Sequence, residues 1–215
     1  MSVKIVPAIL TNSPEELSSQ LRIARQLTDR VQIDIIDGEY ADNKTIQPSD
    51  IPKPIDAKLD LHLMVNNVNA YISQCISLNP NTIIFQFDAL GKQKDILAAI
   101  DQIHSAGFRV GLSLNPDVEV ESIAKFIPKI EHVLIMGYPA GFAGQKFQRS
   151  VLDKVGQVRA IRPDIEVGID GGVNHATIKT IAKAELDVVN VNTYLFHNPE
   201  ADPLSVYSSL LEVFL

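Results

Sequence analysis

A closed (β/α)8 barrel, the TIM-barrel class of α/β fold, is what the sequence predicts, and three observations predict it. Short runs rich in β-branched residues alternate with longer helical patterns from one end of the chain to the other. The runs start every 21 to 33 residues, the length of one strand-helix unit. Several of them, such as HVLIM and VVNV, show no polar alternation and so expect burial on both faces, as parallel strands covered by helices have. An open doubly wound sheet usually carries a glycine-rich turn after its first strand. Here that segment reads LTNSPEE and cradles no dinucleotide. No linker interrupts the array, so residues 1–215 are expected to form a single barrel domain.

The elements follow in order. Strands are expected at residues 3–10, 31–37, 57–65, 82–88, 109–115, 132–138, 165–170 and 186–192. The first helix has the clearest start signals. Ser13 can cap it, Pro14 occupies its first position, Glu16 would close a capping box, and Leu17, Leu21, Ala24 and Leu27 form one apolar stripe. Helical patterns at 67–78, 93–105, 120–128, 150–159, 175–184 and 203–214 fill most other gaps. The exception is 38–54, whose Gly, Pro, Asn and Asp residues predict a long loop with at most one helical turn before Ile51.

Composition excludes several classes. The chain is 46% hydrophobic and 21% charged, with no run near the ~18 apolar residues of a spanning helix, so no membrane partner is expected. Its start, MSVKIVPAIL, lacks the pattern of a secretion signal, which suggests a cytoplasmic protein. A net charge of −7 without a basic stripe argues against nucleic acid. The lone Cys75 lies among Tyr71, Ile72 and Ile76 and reads as a buried helical face. A homo-oligomer is left open.

In such a barrel the active site lies at the carboxyl ends of the strands. Alternation along QIDIIDG puts Gln32 and Asp34 on one face and Asp37 on the other; along LDLHLMV it groups Asp60, His62 and Met64. Strand four adds Gln86 and Asp88, and VGIDGG sets Asp170 at the tip of strand seven. Buried carboxylates on neighbouring strands repel unless positive charge lies between them. Asp34, His62 and Asp170, with the amide oxygen of Gln32 as a fourth donor, suit a divalent cation in an open, catalytic site. The plainer reading makes Asp34 and Asp170 caps of loop backbone and His62 a hydrogen-bonded core residue; convergence of three strand ends favours the cation. After strand six, YPAGFAGQKF places Gly141 and Gly144 around Phe142 and Ala143, so backbone N–H groups could approach an anion. Gly171-Gly172 and Asn192-Thr193 fall where barrels commonly bind phosphate. His104, His132, His175 and His197 are read as structural.

The segments VPAIL, QIDIIDG, LHLMV, GLSLNP, AGFAGQKF and GIDGGVN, in this order, resemble the ribulose-phosphate 3-epimerase family almost end to end. The resemblance implies a ribulose-phosphate-binding barrel that inverts C3 of a ketose phosphate, ribulose 5-phosphate to xylulose 5-phosphate or a close analogue. It makes Asp34 and Asp170 the acid/base pair, and both of them, with His62, ligands of one divalent metal (Zn, Fe, Mn or Mg). It also implies that Gly141 to Gly144, Gly171, Gly172, Asn192 and Thr193 hold the substrate phosphate, with His62 and Ala8 beside the substrate. Four positions depart from the family pattern. A metal histidine is Gln32, a substrate-contacting serine is Ala8, a methionine is Ile36, and a Gly-Ser pair is Asn192-Thr193, while Met64 and Met136 match. The departures keep a second reading alive, a noncatalytic epimerase-like barrel that binds a sugar phosphate or a protein. A phosphate-barrel decarboxylase would want a lysine beside the strand-two carboxylates, and 32–37 contain none.

Overall fold

The computed structural model describes residues 3–214; Met1, Ser2 and Leu215, at the ends of the expected 1–215 domain, lie outside the described residues. Eight parallel strands close into a barrel in chain order, β1 Lys4–Ile9, β2 Arg30–Ile36, β3 Lys58–Met64, β4 Thr82–Gln86, β5 Arg109–Leu114, β6 His132–Met136, β7 Glu166–Asp170 and β8 Val188–Val191. The last strand pairs with the first, Lys4 opposite Val188 and Pro7 opposite Val191. The helices are α1 Pro14–Leu27, α2 Val68–Cys75, α3 Gln93–Ser105, α4 Val120–Ile123, α5 Asp153–Ile161, α6 His175–Ile181, α7 Thr193–Phe196 and α8 Pro203–Leu211. All eight expected strands are present. Several expected helices end in, or begin with, a 3-10 turn: 76–78 follows α2, 149–152 precedes α5, 182–184 follows α6 and 212–214 follows α8. The pattern at 120–128 yields only one turn of α-helix, ending at Ile123, and a separate 3-10 turn at Ile127–Lys129 that holds Pro128 in its first turn. The long loop carries its single turn at Pro48–Asp50.

Ser13 caps α1 as expected, its Oγ accepting from the Glu16 N–H at 3.2 Å. The box stays half closed, because the Glu16 carboxylate turns instead to the Thr11 hydroxyl and to Gln20 Nε2, 2.9 Å away.

Outward faces of the strands (Ile33, Ile35, Leu61, Leu63, Phe85) pack against helix stripes that include Leu17, Ile72, Ile96 and Ile100, forming the main apolar core. Cys75 is fully buried there, its thiol pushed up to about 12 by burial, which makes it inert. Inside the barrel the packing is more polar. At its amino-terminal floor Arg30 forks onto Glu166 at 3.0 and 2.7 Å and donates to Asp60 at 2.5 Å, while His132 Nδ1 meets Glu166 at 2.8 Å. Burial would raise the Glu166 carboxyl, yet His132 and Arg30 hold it far below its ordinary range. Asp60 therefore shares the inner face of β3 with His62 but works at the opposite end of the barrel, as part of the floor.

Candidate active site

Parallel register sets the site. Asp34 on β2 lies beside His62 on β3, and Met136 on β6 beside Asp170 on β7. The end of β2 is pinned by Thr45, whose hydroxyl donates to the Asp34 carbonyl at 2.8 Å and accepts from the Ile36 N–H at 2.9 Å. Asp37, on the other face as expected, accepts from the backbone of Glu39, Tyr40 and Asn66 and so caps loops. Asp34 does no such capping. Its Oδ1 accepts from Gln32 Nε2 at 2.8 Å and lies 3.1 Å from His62 Nδ1. Asp170 Oδ2 accepts from the same Gln32 nitrogen at 2.5 Å. One amide thus bridges both carboxylates.

One ligand atom each from Asp34, His62 and Asp170 falls within 4.8 Å of the others. All three are buried, and two hard carboxylate oxygens with one imidazole nitrogen are a donor set that fits a divalent cation. Gln32 stands in a different role from the one read in the sequence. Its oxygen accepts from Asn190 Nδ2 at 2.7 Å, and its N–H groups, not its oxygen, face the carboxylates. Burial, then the negative charge of Asp34, push the Asp170 carboxyl up to about 7.

The expected substrate residues divide between two adjoining spaces. Gly141, Phe142 and Ala143 line a small cavity over Asp34, Asp170, Met64 and Met136. Gly144, Gly171, Gly172, Asn192 and Thr193 line a larger cavity of about 380 Å3. The φ angles of Gly144, Gly171 and Gly172, +79°, +101° and +75°, lie in the left-handed region that glycine adopts without strain. Ala8 is buried and reaches the rim through its carbonyl, which accepts from Asn192 Nδ2 at 2.8 Å.

Sequence reasoning missed four contributors. Asn190 was hidden in the apolar run VVNV, although period-2 alternation would have turned it inward. Tyr138 borders both cavities, and a Cβ on Gly171 would touch its ring at 3.0 Å; burial, followed by the charges of Asp170 and Asp34, drives its phenol upward. Helix α7, four residues long, was too short to show a period. His197, read as structural, lines the larger cavity.

A model of the ribulose-phosphate 3-epimerase family matches residues 4–196. The chain belongs to this family. Ribulose-phosphate 3-epimerase of Schizosaccharomyces pombe is 30% identical over 92% of this chain and 88% of its own length. Ribulose-phosphate 3-epimerase 2 of Cupriavidus necator is 32% identical over 94% of this chain and 87% of its own. Membership makes the chain a sugar-phosphate epimerase and displaces the noncatalytic alternative. Among solved structures, 3-hexulose-6-phosphate synthase from Salmonella typhimurium superposes with a TM-score of 0.74 at 14% identity, covering 99% of this chain and 98% of that one. 3-Keto-L-gulonate-6-phosphate decarboxylase from Vibrio cholerae gives 0.73 at 10% identity, with both chains covered in full. At such identities these two share the barrel alone. Among the described residues no helix is long and apolar enough to cross a membrane.

Proposed function

We propose that this enzyme inverts C3 of a ketose phosphate, ribulose 5-phosphate to xylulose 5-phosphate or a close analogue, by passing protons between the substrate and the Asp34–Asp170 pair. The observation that carries the reading is the single Gln32 nitrogen within 2.8 Å of one carboxylate and 2.5 Å of the other, which holds both at the carboxyl end of the barrel. Asp34 removes the C3 proton in the ribulose direction, Asp170 delivers a proton to the opposite face, and the roles exchange in reverse.

Asp34, His62 and Asp170 would hold one divalent cation. Bound there, it supplies positive charge beside the substrate oxygens that become negative as the proton leaves. Carboxylates are weak bases for a carbon acid, so positioning must contribute much of the remaining barrier reduction. Met64, Met136 and Leu10 line the small cavity and keep water from the carbanionic carbon. Gly144, Gly171, Gly172, Asn192 and Thr193 bind the phosphate in the larger cavity, while Gly141, Phe142 and Ala143 close over the sugar. Ala8 and His62, both fully buried and lining neither cavity, act from behind, Ala8 by holding Asn192 and His62 through Asp34.

The test is epimerisation of ribulose 5-phosphate by protein stripped with chelator and then resupplied with Mn2+, Mg2+, Zn2+ or Fe2+. Turnover should vanish on stripping and return with one of these ions. Turnover that chelation leaves unchanged would remove the cation from the account; inactivity with every ion would remove the substrate.

A further inference from the structure

Two buried oxygens directly behind the carboxylate cluster have no hydrogen-bond partner, Gln86 Oε1 and Asn190 Oδ1. Gln86 is fully buried and Asn190 reaches only the edge of the larger cavity, yet both oxygens are out of reach of solvent, and an oxygen left in that state calls for an explanation. Each belongs to an amide whose nitrogen is engaged with a residue of the site. Gln86 Nε2 lies 3.0 Å from His62 Nε2, and Asn190 Nδ2 donates to Gln32 Oε1 at 2.7 Å.

These contacts fix which way the inner groups face. The Gln86 N–H donates to His62 Nε2, so the single proton of a neutral imidazole sits on Nδ1 and points at Asp34 Oδ1, 3.1 Å away. Gln32 likewise shows only N–H to Asp34 and Asp170. Both groups are therefore set as hydrogen-bond donors, the arrangement that two carboxylates need when nothing else positive lies between them. A cation demands the reverse, an electron pair from His62 Nδ1 and from the Gln32 oxygen. That reversal moves the imidazole proton to Nε2 and the Gln32 N–H groups toward Asn190. Each then needs an acceptor behind it. Turning over the Gln86 and Asn190 amides supplies one for each, and the acceptors are the two unpartnered oxygens. Amide oxygen and nitrogen are nearly equal in size, so the exchange changes hydrogen bonding and leaves packing almost unaltered.

We propose that Gln86 and Asn190 are positioning residues whose carboxamides turn over together with Gln32 when a divalent cation enters, converting His62 and Gln32 from hydrogen-bond donors into electron-pair donors. The proposal rests on the reading that Asp34, His62 and Asp170 bind such a cation. It makes Gln32 a ligand only in the occupied state and a bridge between carboxylates in the empty one. It also makes cation affinity depend on two amides that do not touch the cation.

The experiment is 15N NMR of the full-length protein labelled at histidine, stripped with chelator and titrated with Zn2+, with His62 assigned from the signals lost in His62→Gln. Calorimetry on the same sample follows binding. The stripped protein should show His62 protonated on Nδ1, and one equivalent of Zn2+ should move the proton to Nε2. Gln86→Met and Asn190→Leu, each lacking the acceptor, should weaken Zn2+ binding by about tenfold or more. If Zn2+ binds and the tautomer does not change, or if the stripped protein already carries its proton on Nε2, the turnover of amides is wrong and the cation site stands. If calorimetry detects no Zn2+ binding, the cation site falls and the proposal with it.

Discussion

Replacing Asp170 by Asn should stabilise the cation-free protein at alkaline pH while abolishing its chemistry. The carboxyl of Asp170 moves from an ordinary 3.8 to about 7 because it is buried and faces Asp34. A folded value above the unfolded one means that the folded state holds the proton more tightly. Stability from this group is thus fully present below the unfolded value and is lost as pH rises toward 7. The displacement is about 3 pH units at ~1.4 kcal/mol each, so ionising Asp170 in the folded protein costs about 4 kcal/mol by pH 8. Asparagine has the same shape and cannot ionise. Hydrogen bonds from Gln32 and the Gly171 backbone favour the ionised form and are already contained in that displacement, so only what asparagine loses relative to the protonated acid enters, as a constant. Urea denaturation of chelator-treated wild type and Asp170→Asn, from pH 4 to pH 8, isolates the effect, provided the two m-values agree. The variant should gain on the wild type by about 3–4 kcal/mol across that range and should not turn over at any pH. A gap that stays constant to within about 0.5 kcal/mol, or that moves the other way, would refute the argument that burial and Asp34 govern this carboxyl.

Other expectations can be checked with the same tools. Arg30→Met strands Asp60 and Glu166 in the barrel floor and should cost about 3–5 kcal/mol in urea denaturation, with kcat of the folded fraction nearly unchanged. Glu166, held low by its partners, adds stability that is present above pH 4.5 and lost as pH falls through its lower folded value, so Glu166→Gln should flatten the acid limb of the stability profile. Gly168→Ala would place a methyl 2.9 Å from His132 Cε1 and 3.0 Å from Nε2, with an expected loss of about 1–3 kcal/mol in the same assay. Gln32→His should tighten Zn2+ binding by about an order of magnitude in calorimetric titration, since exchanging one ligand is worth at least ~1.4 kcal/mol.

The barrel was legible because apolar strand runs recur at the spacing of one strand-helix unit and the helices between them carry ordinary start signals. Ser13 and Pro14 mark α1 unaided, and alternation alone separates Asp34 from Asp37. Closure itself follows from pairing β1 with β8, which no local pattern shows. What escaped depends on distant partners. Glu16 abandons its expected box because Thr11 and Gln20 lie closer to its carboxylate. The direction of the Gln32 amide is set by Asn190, 158 residues away, so the residue could be singled out from sequence while the group it presents to the carboxylates could not. Asn190 is one polar side chain in a four-residue strand, and a run of valines outweighs it in any periodicity count.

Proton transfer at C3 by two carboxylates on opposite faces leaves a signature when the reaction is run in D2O from unlabelled ribulose 5-phosphate and the deuterium is located in the xylulose 5-phosphate formed. Each product molecule should carry one solvent deuterium at C3, and Asp34→Asn and Asp170→Asn should form no product. Product that retains its original hydrogen at C3, or either variant turning over at the wild-type rate, would contradict it.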